Sequence, residues 1–400
     1  MKALVFVVMA VLALLCLGGI AQADVFNMPP GLTNLETVGV GNAGNAADAT
    51  GYGSVSYNYN IGKYEVTATQ YTEFLNAKAA TDPYGLYNTS MWSDSYYGCK
   101  IQRSGSSGGY TYSVASDYAN RPVNYVSYWD SLRFANWLGN GQGNGDTENG
   151  AYTLTPTGIA NNTITRNAGW KWAVTSEDEW YKAAYYKGGS ANAGYWLYPT
   201  KSNTSPANQV LPTDPGNSAN YYVGGYSIGS PYYRTNVGEF ENSASAYGTF
   251  DQGGNVWEWN EAMTGAYRCL RGGSFYTDGG YYLQASSRYN DYPTDEDTGV
   301  IGFRVSEVVH AYGINNRAAS DPIMSTASAR FNFRVWGKVT ILVSGNSFTV
   351  DDGSGMPVKV VAPGFSGIQD EDYACALGAF SGEGSNRVLN AQASDVVKLQ

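Results

Sequence analysis

Turn-forming residues interrupt this chain so often that long helices and long strands are excluded over most of its length. Of its 400 residues, 49 are glycine and 34 are tyrosine, and asparagine and serine are frequent between them. Because glycine, asparagine and serine favour turns, the pattern predicts short strands joined by long connections. Three segments carry helix signals, each beginning with a capping pair: Thr67 with Gln70, Ser127 with Asp130, and Ser176 with Glu179. The sequence therefore predicts a loop-rich α+β fold with three short helices.

The charge of the chain narrows the choice of partners. Its formal net charge is -10, although only 14% of its residues are charged. Such a field repels phosphate backbones, so nucleic acid is not an expected partner, whereas calcium binding is compatible with it. The hydrophobic content of 43% is enough to bury a core, which argues against a long disordered chain.

Residues 1–23 have the pattern of a secretory signal peptide. Lys2 supplies a positive start, residues 3–17 form an apolar run, and residues 21–23 give the small-x-small pattern of a cleavage site. The mature chain would then begin at Asp24. We therefore expect an exported protein that is periplasmic, attached to the cell surface or secreted.

Two alternatives exist for this leader. One is an uncleaved membrane anchor, although the apolar run is short for a helix that spans a bilayer. The other is a lipoprotein, because Cys16 lies near the end of the run, but Leu15 before it is bulkier than lipoprotein processing tolerates. No later segment is apolar enough to span a bilayer, so we expect no membrane span in the mature chain.

The sequence changes character after residue 310. Residues 311–329 are small and polar and predict a linker. From residue 330, apolar and polar side chains alternate, as is typical of strands. The apolar strand segments are 331–335, 339–343, 348–350, 358–360, 373–380 and 387–399. About five strands over residues 330–400, with a turn at 351–355, predict a small all-β barrel of the OB type.

Two roles are open for this predicted barrel. OB folds often bind nucleic acid or sugars. Here the strands are not basic, and the loops carry acidic residues such as Asp351 and Asp352. A structural or docking role is therefore the favoured interpretation.

Six short motifs follow one another along the first three quarters of the chain. They are IGKYEVT at 61–67, RPVN at 121–124, TSEDEW at 175–180, GNVWEW at 254–259, RGGSF at 271–275 and GFRV at 302–305. In this order they resemble the motifs of formylglycine-generating enzymes, the sulfatase-modifying-factor family. GNVWEW is the most specific match, and one departure is that Val174 and Thr175 replace the usual Leu-Pro.

The resemblance covers roughly residues 36–308 and implies a domain at 24–310. The fold it implies is a loop-rich relative of the C-type lectin fold, with little regular secondary structure. The whole chain would then combine a signal peptide, a formylglycine-generating-enzyme-like domain, a linker and an OB-like barrel.

The resemblance also implies a copper chemistry. This chain lacks the two cysteines that the chemistry requires. Family enzymes oxidise a sulfatase cysteine to formylglycine with molecular oxygen, using copper(I) held by two cysteines, because soft thiolates suit that ion. Counted from Ser274 of the Gly-Gly-Ser motif, the two cysteine positions are Thr277 and Tyr282, and no cysteine lies from residue 270 to 374. Neither side chain can act as a thiolate ligand, so copper is not expected.

Three cysteines remain once the leader is removed: Cys99, Cys269 and Cys375. An odd number permits at most one internal bridge, and whether Cys99 and Cys269 form it is left open. We interpret Cys269 as a small buried hydrophobic residue. A related branch of the fold uses iron held by three histidines, which a chain with the single His310 cannot supply.

Calcium is the cofactor that the resemblance favours. The family's second calcium site corresponds to the side chains of Asp251 and Glu258 and to the carbonyls of Gly254 and Val256, and hard oxygen ligands suit calcium. The alternative is a tryptophan-anchored core strand in which Glu258 is solvated.

The family's other calcium site is less complete in this chain. Asn220 and the carbonyls of Tyr221 and Tyr232 correspond to its ligands. Ser230 stands where the family has an aspartate, so this site has lost its carboxylate.

Two functions from different classes follow. In the first, the domain is a non-catalytic binding module for glycan or protein, a pseudoenzyme whose old substrate groove is lined by Ser274, Arg288 and Arg304. The loop after Ser274 supplies tyrosines that could stack on a ligand or fill a loop-rich core: Tyr276, Tyr281, Tyr282, Tyr289 and Tyr292. In the second, the domain is a copper- and oxygen-dependent oxidase that rebuilds a thiol site from Cys99 and Cys269.

The leader gives the first testable prediction. Expression in a bacterial host with its signal peptidase should release a protein whose N-terminal residue is Asp24 in the periplasm or the medium. N-terminal sequencing of those fractions is the measurement. Recovery of a chain that still begins with Met1 would show that the segment is not a cleaved signal peptide.

Overall fold

The computed structural model describes residues 34–190, 192–296, 299–308, 311–313, 332–353, 356–381 and 388–399. The chain divides into two compact units, Met1–Val308 and Val309–Gln400. The predicted signal peptide, His310 and residues 314–329 of the predicted linker lie outside the described residues. The first three residues of that linker, Ala311–Gly313, form a strand of the second unit.

Helices are few and short in the described part of the first unit. They are α1 Ala68–Lys78, α2 Ser90–Ser93, α3 Tyr128–Gly139, α4 Pro156–Ala160 and α5 Glu177–Tyr185. The three predicted helices are α1, α3 and α5, and each begins with a complete capping box. In α5, Ser176 Oγ accepts from the Glu179 amide at 3.1 Å and the Glu179 carboxylate accepts from the Ser176 amide at 2.8 Å, which satisfies two of the otherwise unpaired amides of the first turn.

The strands of this unit are equally short. They are β1 Thr37–Val40, β2 Tyr59–Gly62, β3 Ile101–Ser104, β4 Thr111–Val114, β5 Trp172–Val174, β6 Trp257–Thr264, β7 Tyr267–Arg271, β8 Tyr289–Asp291, β9 Ile301–Phe303 and β10 Val305–Glu307. They form a sheet in the order β1-β2-β10-β5, a second in the order β8-β7-β6-β9, and the hairpin β3-β4. Strands β6 and β9 are parallel, which aligns the GNVWEW and GFRV motifs side by side.

The main core of the first unit is aromatic. Rings from α1 and α3 pack edge to face or tilted, with Phe74 and Trp137 at 5.2 Å between centroids and Phe134 and Phe303 at 5.3 Å. Such pairs add to the free energy of burying the ring area itself. The predicted buried faces of α1 and α3 therefore meet each other and the strand β9.

Two glycines of the motifs have no room for a side chain. A Cβ on Gly254, whose φ is +87°, would lie 2.1 Å from the Asn220 carbonyl oxygen, and one on Gly302 would lie 2.7 Å from the Val123 carbonyl oxygen. Because backbone cannot move aside cheaply, these motif positions require glycine for close packing of loops.

A fully buried ion pair connects four of the six motifs. Arg304 donates to both carboxylate oxygens of Glu258, at 2.6 and 2.8 Å, and both side chains have no exposed surface. Glu258 also accepts from the Trp180 indole at 2.9 Å. Arg304 donates further to the carbonyls of Gly62 and Phe250, each at 2.9 Å.

Two other buried carboxylates are held in the same way. Glu179 accepts two hydrogen bonds from Arg166, at 2.8 and 3.0 Å. Glu177 is bound by both Arg271 and Arg288. Guanidinium groups with several donors can satisfy several loop carbonyls and carboxylates at once, so they suit a fold with few regular hydrogen-bond ladders.

The second unit contains a closed five-stranded barrel, as predicted, and one further short strand. Its strands are β11 Ala311–Gly313, β12 Asn332–Val343, β13 Ser347–Asp351, β14 Val358–Val361, β15 Tyr373–Ser381 and β16 Val388–Leu399. The order β12-β13-β14-β16-β15 closes because β12 also pairs with β15, while β11 adds to β12 in parallel. The parallel pairing of β14 with β16 completes the Greek-key topology of an OB fold.

Two segments that were separate in the alternating pattern form the single strand β12. It pairs with β15 over Asn332 to Lys338 and with β13 from Lys338 onward. Between them, a Cβ on Gly337 would lie 2.3 Å from the backbone of Asp351, so only glycine lets the strand turn from one partner to the other. Among the helices in the described residues, none combines the length and apolar character needed to cross a bilayer.

The buried ion pair gives a stability prediction. Arg304→Met should lower the free energy of unfolding by about 3–5 kcal/mol, because it leaves the Glu258 charge buried without its partner. The matched control is Lys63→Met, which breaks the exposed pair with Glu36 and should cost below about 1 kcal/mol.

Urea unfolding followed by tryptophan fluorescence is the measurement, since Trp336 is the only tryptophan after residue 308 and the signal reports mainly the first unit. If Arg304→Met and Lys63→Met unfold at the same urea concentration, the ion pair does not hold the motifs together.

Candidate functional site

An open groove of about 490 Å³ lies beside the sheet β8-β7-β6-β9. The strands contribute apolar side chains, with Leu270 from β7 and Ile301 from β9, and Val300 precedes β9. Trp257 of β6 and Tyr289 and Asp291 of β8 line it as well, and the loop that follows the Gly-Gly-Ser motif supplies the other lining residues, including Thr277 and Tyr282. The groove is therefore formed by regular strands and by the loop that sequence analysis marked as the functional one.

Four aromatic rings dominate this groove. Trp257 stacks with Tyr289 at 5.5 Å between ring centroids and meets Tyr282 edge-on at 6.2 Å. Tyr281 lies against Tyr282 at 3.9 Å. Tyr281 and Tyr289 expose 57% and 51% of their surface, whereas Trp257 is buried at 7%. Contacts between the rings hold them in place, and the outer tyrosines present large amphipathic surfaces to solvent.

The loop tyrosines are therefore mostly at the surface. Besides Tyr281 and Tyr289, Tyr276 and Tyr292 expose 56% and 53% of their surface, and Tyr282 is half-buried. Of the two interpretations of these tyrosines, the one that uses them to fill the core is wrong for four of the five.

The two positions that correspond to the copper cysteines both line the groove. The Thr277 hydroxyl accepts from the Ser274 amide at 2.9 Å and lies 3.0 Å from the Ser274 hydroxyl, which closes a turn. Ser274 is 1% exposed and does not line the groove, so this predicted groove residue serves the turn instead.

Two arginines predicted for the groove lie elsewhere. Arg304 is completely buried in its pair with Glu258. Arg288 donates to Glu177 at 2.8 and 3.0 Å and to the Thr264 hydroxyl at 2.7 Å. Both guanidinium groups are used by buried or partly buried acceptors of the fold, and neither lines the groove.

Sequence reasoning missed two acidic residues of the groove, Asp278 and Asp291. Asp278 follows Thr277 directly and is exposed, while Asp291 is half-buried at the end of β8. A signal existed for the second, because Tyr289 and Asp291 are two residues apart on a strand and so share a face. Burial raises the pKa of the Asp291 carboxyl, and the neighbouring Asp295 raises it further.

The cysteines do not meet in the structure. Cys99, Cys269 and Cys375 are all free thiols, so the pairing of Cys99 with Cys269 that the count permitted is not formed. Cys99 and Cys269 are fully buried, and burial raises the pKa of both thiols. Their contacts differ, since Cys99 Sγ lies 3.9 Å from the Asn124 carbonyl and Cys269 Sγ lies 3.5 Å from the Thr264 hydroxyl. Cys269 fits the interpretation as a small buried residue.

The residues of the better calcium candidate cluster around the buried ion pair. Glu258 is not solvated, because Arg304 and Trp180 occupy its oxygens, which overturns the alternative of a solvated carboxylate. Asp251 accepts from the Gly238 amide at 2.6 Å. Its side chain is half-buried, and desolvation raises the pKa of its carboxyl to about 6.

A third carboxylate, Glu65 of the first motif, lies in the same electrostatic environment. It is 1% exposed, and neither of its carboxylate oxygens has a hydrogen-bond partner on another described residue. Burial raises the pKa of Glu65 well above its usual range, and the charge of Asp251 raises it further, while Arg304 lowers it. Two buried carboxylates and the half-buried Asp251 thus surround one guanidinium, an arrangement with two negative charges in excess when all three are ionised.

A small cavity lies directly beside Asp251. Its volume is about 10 Å³, enough for one water or one ion, and its lining includes Phe250, Gln252 and Gly253. In the described part of the chain, no set of three or more His, Cys, Asp or Glu side chains is arranged as a metal site. Of the predicted calcium ligands only Asp251 lines this cavity, so a cation held by Asp251 and the carbonyls of Gly254 and Val256 would not lie in the cavity itself.

The other calcium candidate fits poorly. Asn220 donates to the Tyr233 carbonyl at 3.0 Å and to Asn255 Oδ1 at 3.1 Å. The Tyr221 carbonyl accepts from Asn208 at 3.1 Å, and the Tyr232 carbonyl accepts from the Arg234 amide at 2.6 Å. The two carbonyls already have partners and Ser230 supplies no carboxylate, so Asn220 Oδ1, which is buried without a hydrogen-bond partner among the described residues, is the one free oxygen of this candidate set.

The fold and the site together define a loop-rich α+β domain whose motifs meet at a buried Arg–Glu pair. A model of the sulfatase-modifying factor enzyme 1-like domain matches residues 29–308. The chain belongs to this family, as the six motifs predicted. No curated protein matches the sequence significantly.

Several solved structures are similar to a large part of this chain. They include CarF (18% identity, 69% of this chain and 99% of that chain, TM-score 0.41), PvdO from Pseudomonas aeruginosa (19% identity, 72% and 100%, TM-score 0.39) and variable protein 1 of Treponema denticola (18% identity, 70% and 97%, TM-score 0.37).

Proposed function

We propose that the first unit is a non-catalytic binding module of an exported protein, and that its ligand occupies the aromatic groove. One observation carries the proposal. The two positions that correspond to the copper-binding cysteines of the family lie in this groove as Thr277 and Tyr282, and they form part of an aromatic wall instead of a thiol pair.

The donor chemistry of the groove does not fit copper(I). This ion prefers thiolates and thioethers, whereas the lining offers hydroxyls, phenols and carboxylates. The Thr277 hydroxyl is already bonded to Ser274, and the Tyr282 ring is packed between Trp257 and Tyr281. We therefore derive no oxidation step for this chain.

The same groove is well suited to binding. Its volume is in the range of small-ligand sites, and its exposed tyrosines combine a rigid apolar ring with a polar hydroxyl. Both extracellular carbohydrate and a segment of an extracellular protein are compatible with such a surface. Fold and chemistry depend on different residues here, so the motifs can support binding without the oxidase activity.

We also propose that one calcium ion stabilises this unit. The candidate ligands are Asp251 and the carbonyls of Gly254 and Val256, with Glu258 and Glu65 supplying negative charge. The supporting observation is the excess of buried carboxylates over guanidinium groups, because an unpaired buried carboxylate is costly unless it is protonated or neutralised by a cation.

The calcium proposal predicts a melting shift. Calcium at 100 times its dissociation constant should stabilise the folded protein by about 2.7 kcal/mol, so the melting temperature should fall when a chelator replaces calcium. Asp251→Asn should abolish the difference between the two conditions, whereas Glu241→Gln, which removes an exposed carboxylate, should keep it.

Glu258 is unsuitable for this test, because its loss also breaks the pair with Arg304. If the wild type has the same melting temperature in calcium and in chelator, calcium does not stabilise this unit.

The non-catalytic proposal predicts that the purified protein leaves a Cys-x-Pro-x-Arg peptide unchanged when copper and oxygen are supplied. The reason is that no residue of the groove provides a thiolate. Mass spectrometry of the peptide is the measurement. Conversion to formylglycine that is lost in Cys269→Ser or Cys99→Ser would show that a rebuilt thiol site exists and that the proposed function is wrong.

A further inference from the structure

The groove combines aromatic rings with carboxylates. Trp257, Tyr281, Tyr282 and Tyr289 surround it, and Asp278 and Asp291 lie on its edge. Neither lysine nor arginine is among its lining residues in the described part of the chain. Carboxylates accept hydrogen bonds from sugar hydroxyls, but two of them in a groove with no basic residue in its described lining also give it a negative charge, from which a cationic ligand gains more than a neutral sugar does.

Two of the rings have much of their surface open to solvent while each packs against a neighbouring ring. Trp257 and Tyr289 are stacked at an interplanar angle of 30°, and more than half of the surface of Tyr289 and Tyr281 is exposed. The face of an aromatic ring carries negative potential and attracts an ammonium or guanidinium group that lies above it.

The two carboxylates are not neutralised by neighbouring residues. Arg268 stands opposite Asp291 in the β7–β8 ladder, but its guanidinium is 2% exposed and donates to Asn162 and to the Ile164 carbonyl. Asp278 is exposed, and none of the described arginine or lysine side chains forms an ion pair with it. The negative charge at the groove is therefore directed to whatever enters it.

We propose that the groove binds the side chain of a lysine or arginine presented by a partner protein, which rests on the proposed binding function and selects protein over carbohydrate. Cation–π contact with Tyr289 and Tyr281 and charge attraction to Asp278 and Asp291 recognise the cationic group. The exposed Tyr276 in the β7–β8 loop and the exposed Tyr292 directly after β8 would extend the contact area beyond the groove, as tyrosines do at protein interfaces. The net charge of -10 favours encounter with a basic partner.

Fluorescence anisotropy with matched labelled peptides tests this inference on the full-length mature protein. One peptide carries lysines between glycines, its pair carries acetyl-lysine at the same positions, and a second pair compares arginine with citrulline. Each charged peptide should bind at least tenfold more tightly than its neutral counterpart. Tyr289→Ala and Asp278→Asn should each weaken binding of the lysine peptide several-fold. Asp278→Asn, which removes only a charge, should leave binding of the acetyl-lysine peptide unchanged.

Two controls separate the groove from the general negative field. Glu241→Gln removes one exposed carboxylate outside the groove, and Tyr96→Ala removes an exposed tyrosine outside it, and neither should change the affinity. A melting temperature equal to that of the wild type shows that each variant is folded.

Equal binding of charged and neutral peptides, or equal loss of affinity in Glu241→Gln and Asp278→Asn, would overturn the inference. Failure of both peptide pairs, with a neutral oligosaccharide bound instead and released by Tyr289→Ala, would overturn it as well and assign the groove to carbohydrate. That result would leave the proposed binding function standing, whereas formylglycine formation would overturn the function itself.

Discussion

The buried pair of Arg304 and Glu258 is the interaction on which the first unit depends. Long loops cannot satisfy their own backbone groups as helices and sheets do, so their carbonyls need donors from elsewhere. Arg304 supplies donors to the carbonyls of Gly62 and Phe250 and neutralises Glu258, which in turn fixes the Trp180 indole. Motifs far apart in sequence thereby become one local structure. Because removal of either charge leaves the other buried and unpaired, a substitution of Arg304 or Glu258 alone should strongly lower the stability of the folded unit.

The groove is built from side chains other than Arg304, Glu258 and Trp180. Its tyrosines pack on one another and on Trp257, and the Ser274–Thr277 turn shapes the loop that carries them. None of these contacts requires a thiol, so the fold persists when the two cysteine positions become Thr277 and Tyr282. The scaffold and the chemistry of a site depend on different residues, which is why the proposed loss of copper binding is compatible with the intact fold.

Much of the fold could be predicted because its signals are local. Capping boxes such as Ser176 with Glu179 fix helix starts, and strict alternation marked the barrel strands. The residues of the candidate functional site were harder to predict from the sequence. Whether an arginine such as Arg288 lines a groove or binds a buried carboxylate depends on residues more than a hundred positions away, here Glu177. Sequence spacing also gave no reason to place Asp278 and Asp291 at one edge, since the sheet and loop that bring them there form only on folding.

We propose that Thr277 and Tyr282, which correspond to the copper-binding cysteines of the family, are part of a binding surface and do not hold a metal. Titration of the reduced protein with copper(I) against a chromophoric copper chelator tests this directly, because a two-thiolate site competes strongly for the ion whereas hydroxyls and phenols do not. The account predicts that the chelator retains the copper and that Cys269→Ser and Cys99→Ser behave like the wild type. Withdrawal of one equivalent of copper(I) by the wild type, lost in either cysteine variant, would contradict it.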